Sequence, residues 1–132
     1  MTISAAMYSW LTTALAATAV GDRIYPRNGS PPAPAMPFCR WFKVSGQREA
    51  KVSRGAGDHA SGRFQVNVYS ETQIEAESIA TAINTAVRNG TRIAPITAID
   101  MDGPYDLPVE IEGQISQTAA VGLDLTVLYK ET

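Results

Sequence analysis

The stretch that decides the fold is residues 63–88, Arg-Phe-Gln-Val-Asn-Val-Tyr-Ser-Glu-Thr-Gln-Ile-Glu-Ala-Glu-Ser-Ile-Ala-Thr-Ala-Ile-Asn-Thr-Ala-Val-Arg. In its first part Phe64, Val66 and Val68 alternate with polar residues, which predicts a strand with one buried face. From residue 76 onward the apolar residues recur at helical spacing, which predicts an amphipathic helix. A strand that runs directly into such a helix is typical of a domain that mixes both elements.

The bounds of this second helix are indicated by capping residues. Ser70 with Gln73, and Thr72 with Glu75, both have the spacing of a capping box, in which two side chains satisfy free backbone N–H groups. Asn89-Gly90 is a typical helix end. The sequence therefore predicts a helix over about 71–88.

A first helix is predicted at the N-terminus. Its apolar stripe consists of Ile3, Ala6, Met7, Trp10, Leu11, Ala14 and Leu15. We expect it to end near Val20-Gly21, since glycine is common just past a helix. No Lys or Arg precedes Arg23, so we do not expect a cleaved secretory signal. No apolar run has the roughly 18–20 residues that a membrane span needs.

The rest of the chain indicates strands and connections. Five prolines within residues 26–37 exclude a helix or a central strand there. Strands are predicted at 38–45, 93–101, 109–115 and 121–129, with a turn at 102–104 and a long Gly-containing loop at 46–62. We therefore expect one 132-residue domain of the α+β class, with a mostly antiparallel sheet of four to five strands and two α-helices packed on one face.

The formal net charge is only −2, but it is unevenly distributed. Residues 1–63 carry eight basic and three acidic side chains, whereas residues 64–132 carry three basic and ten acidic ones. Such a division favours head-to-tail association of copies, although folding could also interleave the two halves. A basic cluster stands out between residues 40 and 63: Arg40, Lys43, Arg48, Lys51, Arg54 and Arg63.

Residues suited to catalysis or metal binding are few. His59 is the only histidine, and its neighbours Asp58 and Ser61 share one Gly-rich segment, which is not how a catalytic triad is built. Cys39 is the only cysteine, which excludes a disulfide within the chain. Asp100 and Asp102 lack the further ligands of a calcium loop. We predict no catalytic, cofactor-binding or metal-binding residues, and no enzymatic activity.

The order of the motifs resembles the tail completion, or tail terminator, proteins of long-tailed phages and prophages. The resemblance rests on four pieces, namely the first helix with Ala-Val-Gly-Asp-Arg-Ile-Tyr-Pro at 19–26, the aromatic strand at 38–42, the strand at 63–70 that leads into a Glu- and Ala-rich helix, and the final Leu-Asp-Leu-Thr-Val-Leu-Tyr at 123–129.

This resemblance implies a structural role in a virion tail that is assembled in the host cytoplasm. Family members form rings, generally hexamers, that cap the head-proximal end of the tail tube, end its polymerisation and support head–tail joining. The implied partners are further copies of the chain, the tail tube protein and a head-completion or connector protein. DNA passes through the lumen without sequence-specific binding, and no membrane or cofactor is involved.

A ring needs contacts between unlike patches, for which we predict the basic cluster together with Glu110, Glu112 and Asp124. Two alternatives remain open at this point. One is another neck role, such as a head–tail connector. The other is a small nucleic-acid-binding module that uses the basic segment 40–63, which predicts salt-sensitive DNA binding.

Overall fold

The computed structural model describes residues 2–29, 34–44, 59–90, 93–94, 96–107 and 119–130. Within these ranges the chain forms two helices and five strands. In chain order they are α1 (Ile3–Leu15), β1 (Ile24–Pro26), β2 (Phe38–Lys43), β3 (His59–Ser70), α2 (Gln73–Arg88), β4 (Ile96–Asp106) and β5 (Ala119–Lys130). A short 3₁₀ turn, Arg27–Gly29, follows β1.

The five strands form one sheet in the order β1-β2-β3-β5-β4. The β1–β2 pair is parallel, and the other three pairs are antiparallel. Both helices contribute to a core that lies on one face of this sheet. The predicted α+β fold, with two helices and a mostly antiparallel sheet, is therefore confirmed.

The core joins alternate residues of the strands to the apolar stripes of the helices. Phe64, Val66 and Val68 of β3 are fully buried, as the alternation in the sequence predicted. Trp10 is the largest side chain with no exposed surface, and it lies in the same cluster from α1. The other fully buried members include Met7, Leu11, Leu15, Ile83, Leu123 and Leu125.

The second helix begins two residues later than predicted. Thr72 is the N-cap, and its hydroxyl accepts a hydrogen bond of 3.1 Å from the backbone N–H of Glu75. The buried hydroxyl of Ser70 instead donates to the carboxylate of Glu75 and accepts from the N–H of Thr72. Thr72 of the second capping pattern therefore starts the helix, whereas Ser70 bonds Glu75 and not the predicted Gln73, and so links the end of β3 to the first turn of α2.

The first helix ends at Leu15, so the prediction of an end near Val20-Gly21 was wrong. The hydroxyl of Thr18 donates a 2.7 Å hydrogen bond to the carbonyl of Leu15, and the Thr18 backbone N–H also bonds that carbonyl. These bonds satisfy a carbonyl at the end of the helix, and the chain continues as turns from there. The apolar spacing could not reveal this side-chain competition.

The predicted turn at 102–104 was also wrong, because these residues lie inside β4. The register of β4 with β5 shifts between Asp102 and Tyr105, which is a bulge. Gly103, with φ of +109°, adopts a conformation that side chains rarely reach. Pro104 is tolerated because β4 pairs only with β5 among the described strands. A glycine and a proline within an edge strand gave the same pattern as a turn.

Two other predictions concern segments that are only partly described. The loop predicted at 46–62 ends earlier, because His59–Gly62 belong to β3 and pair with β5. The remainder of that loop and the strand predicted at 109–115 lie outside the described residues. β1, which the sequence did not predict as a strand, is held by its parallel pairing with β2.

Candidate assembly surface

The sheet has a second face, opposite the helices, on which the remaining strand residues lie. We call it the helix-free face. The pairing registers align these residues in rows across the sheet, such as Tyr25, Arg40 and Asn67, or Gln65 and Asp124 beside Asp102. This face is therefore a mixed aromatic and charged surface, whereas the other face carries the apolar core.

One part of the helix-free face is basic and aromatic. The rings of Phe38 and Tyr69 are stacked, with centroids 4.9 Å apart. The guanidinium carbon of Arg40 lies 5.4 Å from the Phe38 centroid and 5.8 Å from that of Tyr69. These cation–π contacts hold the cation of Arg40 over a rigid aromatic support.

Further cations lie at the same edge of the sheet, where β1 and β2 are located. Arg27 lies over the ring of Phe42, with 5.1 Å between its guanidinium carbon and the ring centroid. Arg27 and Lys43 are exposed and line an open groove of about 610 Å³. Its other lining residues are Ser4, Pro26, Trp41 and Phe42. We call Arg27, Arg40 and Lys43 the basic edge.

The opposite edge of the sheet, formed by β4 beside β5, is acidic. Asp100 and Asp102 are exposed on β4, and Asp102 is paired with Asp124 of β5. The hydroxyl of Tyr105 donates a 3.1 Å hydrogen bond to the carboxylate of Asp124. We call Asp100, Asp102 and Asp124 the acidic edge.

The negative charge of the acidic edge affects the pKa of Tyr105. Partial burial, the hydrogen bond to Asp124, and the negative charges of Asp124 and Asp102 raise the pKa of the Tyr105 hydroxyl. The positive charge of Arg63 acts in the opposite direction. Tyr105 therefore stays protonated, as a hydrogen-bond donor, across the neutral range.

The position of Tyr105 depends on Gly122. A Cβ atom at Gly122 would lie 2.7 Å from Tyr105 Cε2, whereas one at Gly62 would meet its nearest neighbour at an ordinary 3.6 Å. We expect Gly122→Ala to displace the Tyr105 ring and to lower the free energy of unfolding by about 1–3 kcal/mol. Gly62→Ala, the matched control, should cost clearly less, because a Cβ there would meet its neighbours at ordinary contact distances. Urea denaturation measures both, and equal effects would contradict this packing.

The residues predicted as interface residues are distributed over the structure as follows. Arg40, Arg63 and Asp124 lie on the helix-free face, and Lys43 lies on the helix side of β2, since it is paired with the core residue Phe64. Arg63 is exposed on β3 and is close enough to Tyr105 to affect its pKa, so it belongs nearer the acidic edge. The other five, Arg48, Lys51, Arg54, Glu110 and Glu112, lie outside the described residues.

Sequence reasoning missed three members of this surface. Arg27 was not included in the basic cluster, because the five prolines around it suggested a connection without a defined place. Asp100 was placed in the predicted strand 93–101 and Asp102 in the predicted turn 102–104, and neither was assigned to an interface. A search for alternation that continued past residue 101 could have shown that one strand carries both.

The single cysteine shows no sign of reactivity. Cys39 is fully buried, and this burial raises the pKa of its thiol to about 12. Among the described residues, no group of three or more His, Cys, Asp or Glu side chains could hold a metal ion. None of the helices in the described ranges is long and apolar enough to cross a membrane.

The raised pKa of Cys39 makes stability depend on pH. Between pH 9, where the unfolded thiol ionises, and pH 12, the folded thiol stays protonated, so stability is lost as the pH rises. We expect a loss approaching about 1.4 kcal/mol per pH unit in this window. Urea denaturation at pH 8 and pH 10 checks this, with Cys39→Ala as the control for all other groups. An identical pH dependence of the two proteins would contradict it.

Comparison with known proteins identifies the family. The sequence profile described as tail completion protein gp17 matches residues 5–101, from α1 into β4. The chain belongs to this tail completion family. It is therefore a structural protein of a phage-type tail, located in the virion, and the resemblance inferred from the sequence is confirmed. Membership in this family indicates a non-enzymatic role.

Solved structures share the fold of this tail completion protein. A chain in a structure titled as the virion of a native gene transfer agent particle has a TM-score of 0.66 and 18% identity, over 98% of both chains. A second solved chain has a TM-score of 0.60 and 18% identity, over 98% of this chain and 94% of the other. No curated protein sequence matches the chain.

Proposed function

We propose that this tail completion protein, as a single domain, forms a ring that caps the head-proximal end of the tail tube. The ring ends tube polymerisation and presents a surface for head–tail joining. The observation that carries this proposal is the family match over residues 5–101. The proposed partners are further copies of the chain, in a ring of about six, the tail tube protein and a head-completion or connector protein.

The surface of the sheet supports a ring. In a closed ring each copy presents two different patches, one to each neighbour. The basic and acidic edges are two such patches of opposite sign on the same sheet. We propose that the contacts between copies draw on the predicted set: Arg40, Lys43, Arg48, Lys51, Arg54, Arg63, Glu110, Glu112 and Asp124.

DNA in this proposal passes through the lumen without sequence-specific binding. The alternative is a small nucleic-acid-binding module that uses the basic segment 40–63. That alternative predicts salt-sensitive DNA binding by the isolated protein. A titration of duplex DNA at about 50 and 200 mM salt therefore distinguishes the two functions.

The proposal is tested by the mass and shape of the purified protein, alone and with tail tubes. Light scattering and negative-stain images should show rings, either free or at one end of each tube. Reversing Arg48, Lys51 and Arg54 to Glu should abolish them. The matched control reverses Arg88, Arg92 and Lys130, which changes the net charge equally outside the cluster.

Two results would count against the proposal. Wild-type protein that remains monomeric even with tubes present would contradict ring formation. Rings found only on the head vertex, and never on tubes, would favour the alternative neck role of a head–tail connector. If the triple reversal leaves rings and tail joining unchanged, the interface residues proposed above are wrong, but the proposal that the protein forms a ring is unaffected.

A further inference from the structure

We propose that the acidic edge of one copy docks against the basic edge of the next copy, with Asp100 and Asp102 entering the groove lined by Arg27 and Lys43. This inference rests on the proposed function, because it names the partner surface within the ring. It assigns the contact to four described side chains, of which only Lys43 was in the predicted interface set.

The two charged edges are well separated within one copy. Strand order places three strand spacings between β2 and β4, or roughly 14 Å at about 4.8 Å per spacing. The Debye length at physiological ionic strength is about 8 Å. The two edges therefore do not neutralise each other within one copy, and both charges can act on a neighbour.

The side chains proposed for this contact are exposed on both edges. Asp100 and Asp102 are exposed on the outer strand β4. Arg27 and Lys43 are exposed at the mouth of a groove whose walls include the aromatic residues Trp41 and Phe42. A carboxylate at such a cationic groove would make charge-assisted hydrogen bonds, which are stronger than neutral ones. The exposed acids and the open basic groove are therefore complementary in charge.

A second copy of the chain is the partner that fits the two charged edges. A surface that carries both signs at opposite edges matches a second copy of itself, because each copy supplies the patch that its neighbour lacks. Such a contact is heterologous and repeats from copy to copy until the ring closes.

The experiment uses two reversed variants of the full chain. Asp100→Lys with Asp102→Lys makes both edges basic, and Arg27→Glu with Lys43→Glu makes both edges acidic. All four residues are exposed, so both variants should fold, which circular dichroism and thermal unfolding check. Each variant alone should lose self-association by tenfold or more, measured by light scattering under the conditions in which wild-type rings form.

Mixing the two variants gives the decisive result. In an equimolar mixture, each basic variant can meet acidic edges on both sides, so rings of even number should return. A chain with all four reversals should also form rings alone. Glu71→Lys with Glu77→Lys is the matched control, because it reverses two exposed acids near and on α2 and should leave rings intact.

Each other outcome overturns the inference. If wild-type rings form but both reversed variants still assemble, the copies meet elsewhere, and the ring function stands without this contact. If the variants fail and their mixture does not recover, the two edges do not contact each other. If the mixture stops at dimers while wild type forms rings, the contact is two-fold and not head-to-tail. If wild type does not associate at all, the proposed function fails with it.

Discussion

Replacing Phe64 with alanine is expected to lower the free energy of unfolding by about 3–5 kcal/mol. Phe64 has no exposed surface, and its ring centroid lies 6.1 Å from that of Trp41 in the neighbouring strand. It lies on β3, the strand that pairs with both β2 and β5. The truncation therefore removes apolar contacts and leaves a cavity between the sheet and the helix layer.

Phe42→Ala is the matched control for this change. Phe42 lies on the adjacent strand but on the helix-free face, where it is only half-buried and contacts Arg27. We expect its truncation to cost less than half as much as that of Phe64. Chemical denaturation measures both variants. Equal losses would mean that the core does not lie on the helix side of the sheet.

The second large effect is expected at Ile83 of α2. Ile83 has no exposed surface, whereas Ile74 on the same helix is 81% exposed. We expect Ile83→Ala to lower the free energy of unfolding by about 2–5 kcal/mol. Ile74→Ala makes the same chemical change at an exposed site and should cost less than about 0.5 kcal/mol. Thermal and urea unfolding check the pair, and a loss at Ile74 as large as that at Ile83 would contradict the orientation of α2.

Truncating Ile74 also tests whether the groove that it lines takes part in assembly. It lines an open groove of about 630 Å³ between the end of α1 and α2, together with small side chains such as Ala17 and Ala82. The inferred contact between the sheet edges does not involve this groove. Ile74→Ala should therefore leave ring formation as well as stability unchanged.

Much of the fold could be predicted from the sequence, because in those segments local pattern and tertiary environment agree. The alternation at Phe64, Val66 and Val68 and the helical stripe of α2 both correspond to buried faces. The errors occur where a local signal has two structural meanings. Gly103 and Pro104 mark a turn in most sequences, but here they form a bulge in an edge strand.

The assembly surface was less predictable, since it depends on which strands are neighbours. Sequence position groups Arg40, Lys43 and Arg63 together. The structure places Lys43 on the helix side and Arg63 near the acidic edge. Strand order, with β5 inserted between β3 and β4, is what separates the two charged edges. No local pattern in the sequence reveals the order of the strands in the sheet.

If this tail completion protein forms the ring that ends the tail tube, as proposed, then the length of the tails depends on its presence. Electron micrographs should compare tails assembled with and without the chain, at matched concentrations of tube protein. Tails should have a uniform length, with the ring at one end, when the chain is present, and overlong tubes should form when it is absent. Tails of the same uniform length in both preparations would contradict this proposal.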